Sequence, residues 1–129
     1  MAKEAQEAIR SGQKSIISRM VGHDYTRITP FIIQEAAHQG DRLALQLWKS
    51  AGEQLGITLA SVVNLVNPDW IVFAGGLSRA RRLILDPLRR TILKRSFPTP
   101  AKAVKLVISE LDQDLGMVGA GLLAHELFK

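Results

Sequence analysis

The chain has 129 residues, 47% of them apolar, and no cysteine. That allows one domain, or part of one, with a real core, and excludes a disulfide framework, thiolate metal sites and cysteine catalysis. The formal net charge of +5 attracts anions such as nucleotides or nucleic acid, and no apolar run approaches the roughly 18 residues of a membrane span. The charged N-terminal stretch through Lys14 has no apolar signal core, and a cytoplasmic protein is expected.

Residues 3–10 read as a short helix ended by Ser11-Gly12, and a second helical stretch around 15–21 is broken by Gly22-His23-Asp24. Thr29-Pro30 is a helix start, since Thr caps free N–H groups and Pro fits the first helical position. That helix runs to Gly40, and Asp41 caps the next one, the longest, over 42–67. Ala44, Trp48, Ala51, Leu55, Leu59, Val62 and Val66 recur at helical steps, and Leu43, Leu47, Val63 and Leu65 widen the apolar area beyond one face. Gly52 and Gly56 lie four apart on it, each costing about 1 kcal/mol of helix propensity. Their return is close approach of another backbone or of a ligand, helix packing being the commoner reason.

Pro68 ends the long helix, and Trp70-Ile71-Val72-Phe73-Ala74 follows as a continuous apolar run of strand length. Such a run suits a central parallel strand covered on both faces. Gly75-Gly76 closes it, and Leu77-Ser78 lead into a basic helix that Pro87 is expected to divide, with Asp86 capping the second part. Residues 96–102, with Pro98 and Pro100, read as a loop, and Val104 to Ile108 as a second strand. An acidic connection over 110–114 precedes a final helix over 116–128, with Val118, Leu122 and Leu123 on its apolar side. The order of helices, strand, helix, strand, helix is α/β with parallel strands joined by crossovers.

Arg79, Arg81, Arg82, Arg89, Arg90, Lys94 and Arg95 hold 7 of the 17 basic residues. No aromatic side chain is interleaved among them for base stacking, so a solvated helix face is the default and nucleic acid is not the expected partner of this segment. His23, His38 and His125 are far apart and lack Cys partners, so no metal site is assigned. Asp112 and Asp114 suit capping more than Mg²⁺, and no acid/base pair or Ser/His/Asp set sits at motif spacing, so no catalytic residue is assigned.

The strongest local candidate is the turn Phe73-Ala74-Gly75-Gly76-Leu77-Ser78. Ligands in open α/β sheets bind beyond the carboxyl ends of strands, and glycines there let a flat base or ribose approach main chain. The helix that follows would offer free N–H donors. A tight strand-to-helix turn without a ligand is the competing reading. Gly116-Met117-Val118-Gly119-Ala120-Gly121 has phosphate-loop-like intervals but no P-loop Lys, and reads mainly as small residues that let the last helix pack closely.

Three stretches carry a family resemblance: 29–41, ending Ala36-Ala37-His38-Gln39-Gly40-Asp41; 55–78, with Asn64-Leu65-Val66-Asn67-Pro68-Asp69 running into the Gly-Gly turn; and 115–121 before an apolar helix. Their succession resembles the ROK family of repressors and sugar kinases from about Thr29 onward, while residues 1–28 form a helical lead-in that fits less distinctively. The resemblance implies an α/β fold, part of an actin-like ATPase (ribonuclease H-like) lobe with helices on a small parallel-stranded sheet. It makes residues 1–129 one partial domain, the second half of the C-terminal lobe. It further implies ATP or ADP with Mg²⁺ as cofactor, with Gly75 and Gly76, followed by Leu77 and Ser78, beside the adenosine, Gly119 near the nucleotide cleft, and a homodimer. The family's Asp-x-Gly-x-Thr phosphate loop, its catalytic Asp and its Cys-rich zinc motif have no counterpart here. The expectation is therefore a fragment of a glucokinase-like sugar kinase, not catalytic alone, with sugar bound only in the intact protein. The alternatives are the sugar-sensing lobe of a ROK repressor and a ligand-free α/β interaction module.

Overall fold

The computed structural model describes residues 1–109 and 114–127, with backbone alone for 77–79 and 115. The helices are α1 (Ala2–Arg10), α2 (Ile16–Met20), α3 (Pro30–His38), α4 (Arg42–Val66), α5 (Arg82–Arg95), α6 (Pro98–Ala103) and α7 (Leu115–Leu127). The strands are β1 (Trp70–Phe73) and β2 (Lys105–Ile108). These two pair in parallel, Trp70 opposite Lys105 through Phe73 opposite Ile108, with α5 and α6 in the crossover. The acidic stretch 110–113, including Asp112, and the end of the last helix at Phe128 lie outside the described residues.

Two of the three expected caps are in place: Thr29 and Asp41 accept from the backbone N–H of Ile32 and Ala44 at the starts of α3 and α4, while Asp86 lies inside α5 and starts no helix. Ser15, which the sequence did not single out, accepts from Ile17 N–H at the start of α2. Asp41 does more than cap. It is buried, and its carboxylate also accepts from the Ser15 hydroxyl at 3.0 Å and the Ile16 N–H at 2.8 Å. One side chain thus holds the entry of α2 against the entry of α4.

The two glycines of α4 serve helix packing. A Cβ on Gly52 would lie 2.6 Å from the Ile84 carbonyl oxygen and 2.6 Å from Pro87 Cγ; one on Gly56 would lie 2.7 Å from Thr91 Cβ and 2.9 Å from the Leu88 carbonyl oxygen. The backbone of α5 therefore rests almost directly on that of α4. The buried line of α4 runs Ala44, Trp48, Gly52, Gly56, Ala60 and Val63, whereas Val62 and Val66 of the expected stripe are exposed. The stripe tracks the helix that covers it, and α5 covers the glycine side.

Pro87 does not divide α5, which runs unbroken from Arg82 to Arg95. An interior proline costs a helix about 3 kcal/mol. Here the ring is buried against Gly52, and tertiary packing overrides the break. Residues 96–102 are not simply a loop, because α6 begins at Pro98. Pro98 and Pro100 occupy the first turn, whose N–H groups have no intrahelical acceptor, so the rings remove no helical hydrogen bond.

The sheet departs from expectation too. Trp70 and Val72 are each 56% exposed while Ile71 and Phe73 pack on the core, so β1 is covered on one face. An unalternating apolar run reports that a strand can be covered twice, not that it is. Likewise α7 forms, but Val118, Leu122 and Leu123 are exposed, and a Cβ on Gly116, Gly119 or Gly121 would meet nothing within 4 Å. These glycines do not mediate close packing among the described residues.

Two apolar clusters lie along α4. One joins α1, α2, α3 and the first half of α4 to Ala80 and Ile84; the other joins Val63 to Leu88, Ile92, Ala101 and Val104 beneath the sheet. Replacing Gly52 by Ala gains about 1 kcal/mol of helix propensity but forces α5 off its seat, an overpacking cost of about 1–3 kcal/mol or more. Because the clashing atom is backbone, Gly52→Ala is expected to lower unfolding free energy by about 2 kcal/mol in denaturant titrations, whereas Gly121→Ala is expected not to lower it. Asp41→Ala, which removes one cap and strands the Ile16 N–H, is expected to cost about 1–3 kcal/mol in the same measurement.

Candidate functional site

The motif Asn67-Pro68-Asp69 launches the site. Asn67 ends α4 in left-handed backbone at φ 47°, its N–H returning to the Val63 carbonyl at 3.0 Å. Asn tolerates that conformation better than most side chains. Pro68 prevents the helix from continuing. The Asp69 carbonyl accepts from Lys105 N–H at 2.9 Å, the first rung joining the strands, and the Phe73 carbonyl accepts from Ser109 N–H at 2.8 Å, the last. β1 is therefore pinned at both ends. Lys105 also places its ammonium 4.6 Å from the centre of the Trp70 ring.

At the carboxyl end of β1 the chain enters a 3₁₀ turn, Gly75–Ala80. Gly75 has φ +74°, a conformation that favours glycine. Among the described residues, a Cβ built on Gly75 or Gly76 would meet no atom within 4 Å. None of those residues packs against either position, which leaves their main chain within reach of a flat group. The expected arrangement fails in one respect. The turn does not lead straight into a helix, since α5 starts at Arg82, six residues beyond Gly76. The N–H donors of α5 are thus displaced from the glycines by the 3₁₀ turn. The side chains of Leu77 and Ser78 lie outside the described residues, so the structure assigns them no contact.

The turn is anchored at its far side. Ala80 is 1% exposed and packs in the larger cluster, while Arg81 takes φ 39° and ψ −115° and its carbonyl accepts from Leu85 N–H at 2.9 Å. Such backbone is rare for a side-chain-bearing residue. No feature of the sequence marked Arg81 for it. Gly119 lies on exposed α7, and no described residue packs before it.

No group of three His, Cys, Asp or Glu side chains able to hold a metal occurs among the described residues. Among them, too, no helix is long and apolar enough to cross a membrane. The basic face of α5 is solvated as expected, with Arg81, Arg82, Arg89, Arg90, Lys94 and Arg95 all exposed. Hydrogen bonds from the Thr26 hydroxyl and then the Thr26 N–H hold the Asp24 carboxyl below the usual carboxylate range, with Arg27 adding to them.

Comparison with known proteins gives this arrangement its context. Over 97% of its length the chain superimposes, with a TM-score of 0.82 and 24% identity, on 41% of a ROK family glucokinase from Streptomyces griseus solved with glucose and AMPPNP. The fold is that of part of an actin-like ATPase lobe, helices on a small parallel sheet. The chain belongs to the ROK family, whose model matches residues 5–127. It is 32% identical over 92 residues to a glucokinase from Thermotoga maritima, covering 71% of this chain and 29% of that protein. It is 28% identical over 121 residues to a xylose repressor from Caldicellulosiruptor bescii, covering 89% of this chain and 30% of that protein. The matched segments thus span less than a third of these two curated relatives, one a kinase and one a repressor.

Proposed function

We propose that this chain supplies the adenosine side of the nucleotide cleft in an ATP-dependent, glucokinase-like sugar kinase, and is not catalytic by itself. The observation that carries this reading is the Gly75-Gly76 turn, which ends a parallel strand and has no described residue packed before either α-carbon. A nucleoside needs such a place, because adenine and ribose recognised through main chain demand the absence of a Cβ. Strand ends of this kind are where α/β sheets bind ligands.

On this reading Gly75 and Gly76 bound the adenosine, Leu77 and Ser78 extend that boundary, and Gly119 borders the cleft from α7. ATP or ADP binds with Mg²⁺, whose ligands are assigned to no described residue of this chain. Phosphoryl transfer requires a positioned base, phosphate donors and a metal together. The Asp-x-Gly-x-Thr loop is not in this sequence, so transfer and sugar binding belong to the intact protein. The match to a xylose repressor over 89% of the chain favours a second reading, the sugar-sensing lobe of a ROK repressor. ATP-dependent phosphorylation of hexoses by the full-length protein separates the two, since a sensing lobe would show none.

The two glycines are not equivalent as probes. Gly75→Val would strain the backbone at φ +74°, whereas Gly76 has no positive φ and a side chain there enters open space. Gly76→Val is therefore expected to weaken ADP binding by about tenfold or more while leaving the thermal unfolding midpoint within a few degrees of wild type, by calorimetric titration and circular dichroism. Equal ADP affinity in the two proteins would refute the nucleotide reading.

We assign self-association to the same lobe. Trp70 and Val72 on the open sheet face, and Met117, Leu122 and Leu127 on α7, are each more than half exposed. Exposed apolar area of this kind seeks a partner. Sedimentation velocity is expected to show a dimer whose fraction rises with concentration, and a monomer at high concentration would count against it.

A further inference from the structure

Away from the glycine turn, α4 and α5 enclose a groove of about 220 Å³ lined by Lys49, Glu53, Pro87, Arg90, Thr91 and Lys94. The glycine contacts create it. Because the two backbones nearly touch at Gly52 and Gly56, the side chains beside that seam stand as walls, with Pro87 and Thr91 as the floor. Three cations meet one carboxylate there. Glu53 is engaged by Lys49 at 3.8 Å, and no ion pair joins Arg90 or Lys94 to a carboxylate among the described residues. Arg90 donates from Nε to the Asp86 carbonyl oxygen at 3.3 Å, which leaves its terminal nitrogens for another acceptor. Thr91 gives its hydroxyl proton to the Pro87 carbonyl at 2.9 Å, so the floor offers no spare donor and recognition falls to charge.

Arg90 and Lys94 are like charges one turn apart on α5, a spacing at which they repel. We propose that this groove binds a compact phosphate dianion, a phosphate monoester or free phosphate. Arg90 and Lys94 hold its oxygens from α5, and Lys49 closes from α4. Two cations beyond the single acid match a dianion, and Arg supplies paired donors that suit phosphate geometry. The enclosed floor favours a small ligand over a polymer, because the outward residues Arg82 and Arg89 lie on another side of α5, away from the groove lining.

The test is titration of the ¹⁵N-labelled chain with inorganic phosphate at constant ionic strength, read by amide chemical shifts. A saturable one-to-one response confined to Glu53, Thr91, Lys94 and their neighbours is expected. Arg90→Gln with Lys94→Gln should weaken it about tenfold or more, whereas Arg82→Gln with Arg89→Gln, removing equal charge elsewhere on α5, should leave it intact. Shifts that never saturate, or equal losses in both pairs, reduce the effect to diffuse counter-ion attraction and overturn the proposal. Repeating the titration with a hexose monophosphate separates the sources: tighter binding than free phosphate marks an ester site, and equal binding a phosphate site. A short DNA duplex that binds and is lost in the Arg82/Arg89 pair would make α5 a nucleic-acid face and overturn it as well. Failure of the nucleotide reading is distinguishable, since ADP is read at Gly75 and Gly76.

Discussion

The structure depends on two residues without side chains. Gly52 and Gly56 let α5 lie on α4 at a distance that any Cβ would forbid, and α5, α6 and β2 take their positions from that contact. Ile84 and Pro87 meet Gly52, Leu88 and Thr91 meet Gly56, and one turn further Ile92 joins Val63 under the sheet. The loop beyond α5 is then tied back to α4 by Ser96, whose hydroxyl donates to the Ala60 carbonyl at 3.3 Å, and by Phe97, whose N–H donates to Asn64 Oδ1 at 2.9 Å. The helix pair is a frame, and β2 reaches its register beside β1 because α5 and α6 return along it. Two glycines cost α4 about 2 kcal/mol of propensity, and the burial of Ile84, Leu88 and Ile92 more than offsets that.

Local chemistry made much of this legible in the sequence. Thr29-Pro30 and Gly40-Asp41 announced helix boundaries because capping needs a short side-chain oxygen and a chain reversal, and both are local. Parallel pairing of β1 with β2 was legible because parallel strands need a long crossover, and the helical stretch between them supplies one. The misreadings share a cause. Pro87 within α5, Pro98 and Pro100 at the start of α6, and the drift of the buried stripe of α4 were each decided by what packs against the segment or where in a turn the ring falls. A proline read alone signals interruption; set on a glycine of a neighbouring helix, it is the side chain that fills the space.

The site was legible to a different degree. Gly75-Gly76 stood out because glycines at the carboxyl end of a strand suit a ligand, although a tight turn uses them equally well, and the unfilled space before them among the described residues leaves both uses open. The second role of Asp41 and the αL cap at Asn67 carried no separate signal. Each residue had a sufficient explanation already, one as an N-cap and the other as the residue before a proline. Asn67 instead shows why the Asn-Pro-Asp stretch is specific: a left-handed cap, a helix stop and a carbonyl that receives the first sheet hydrogen bond must come in that order.

The glycine turn and the helix frame are mechanically one unit. The 3₁₀ turn is bracketed by positive φ at both ends, Gly75 at 74° and Arg81 at 39°. At Gly75 this costs nothing, but at Arg81 it stores strain of order 1–3 kcal/mol that the surroundings must hold. They do so through buried Ala80 on one side and the hydrogen bonds from Leu85 and Ile84 to the Arg81 carbonyl on the other. Ile84 in turn is fixed by its own carbonyl against Gly52. A displacement at the helix seam is thereby passed through one turn of α5 to the loop that follows the open glycines. The surface offered to a ligand at Gly76 is set by packing some distance away, which is how a solvent-facing turn can keep one shape without a ligand to hold it.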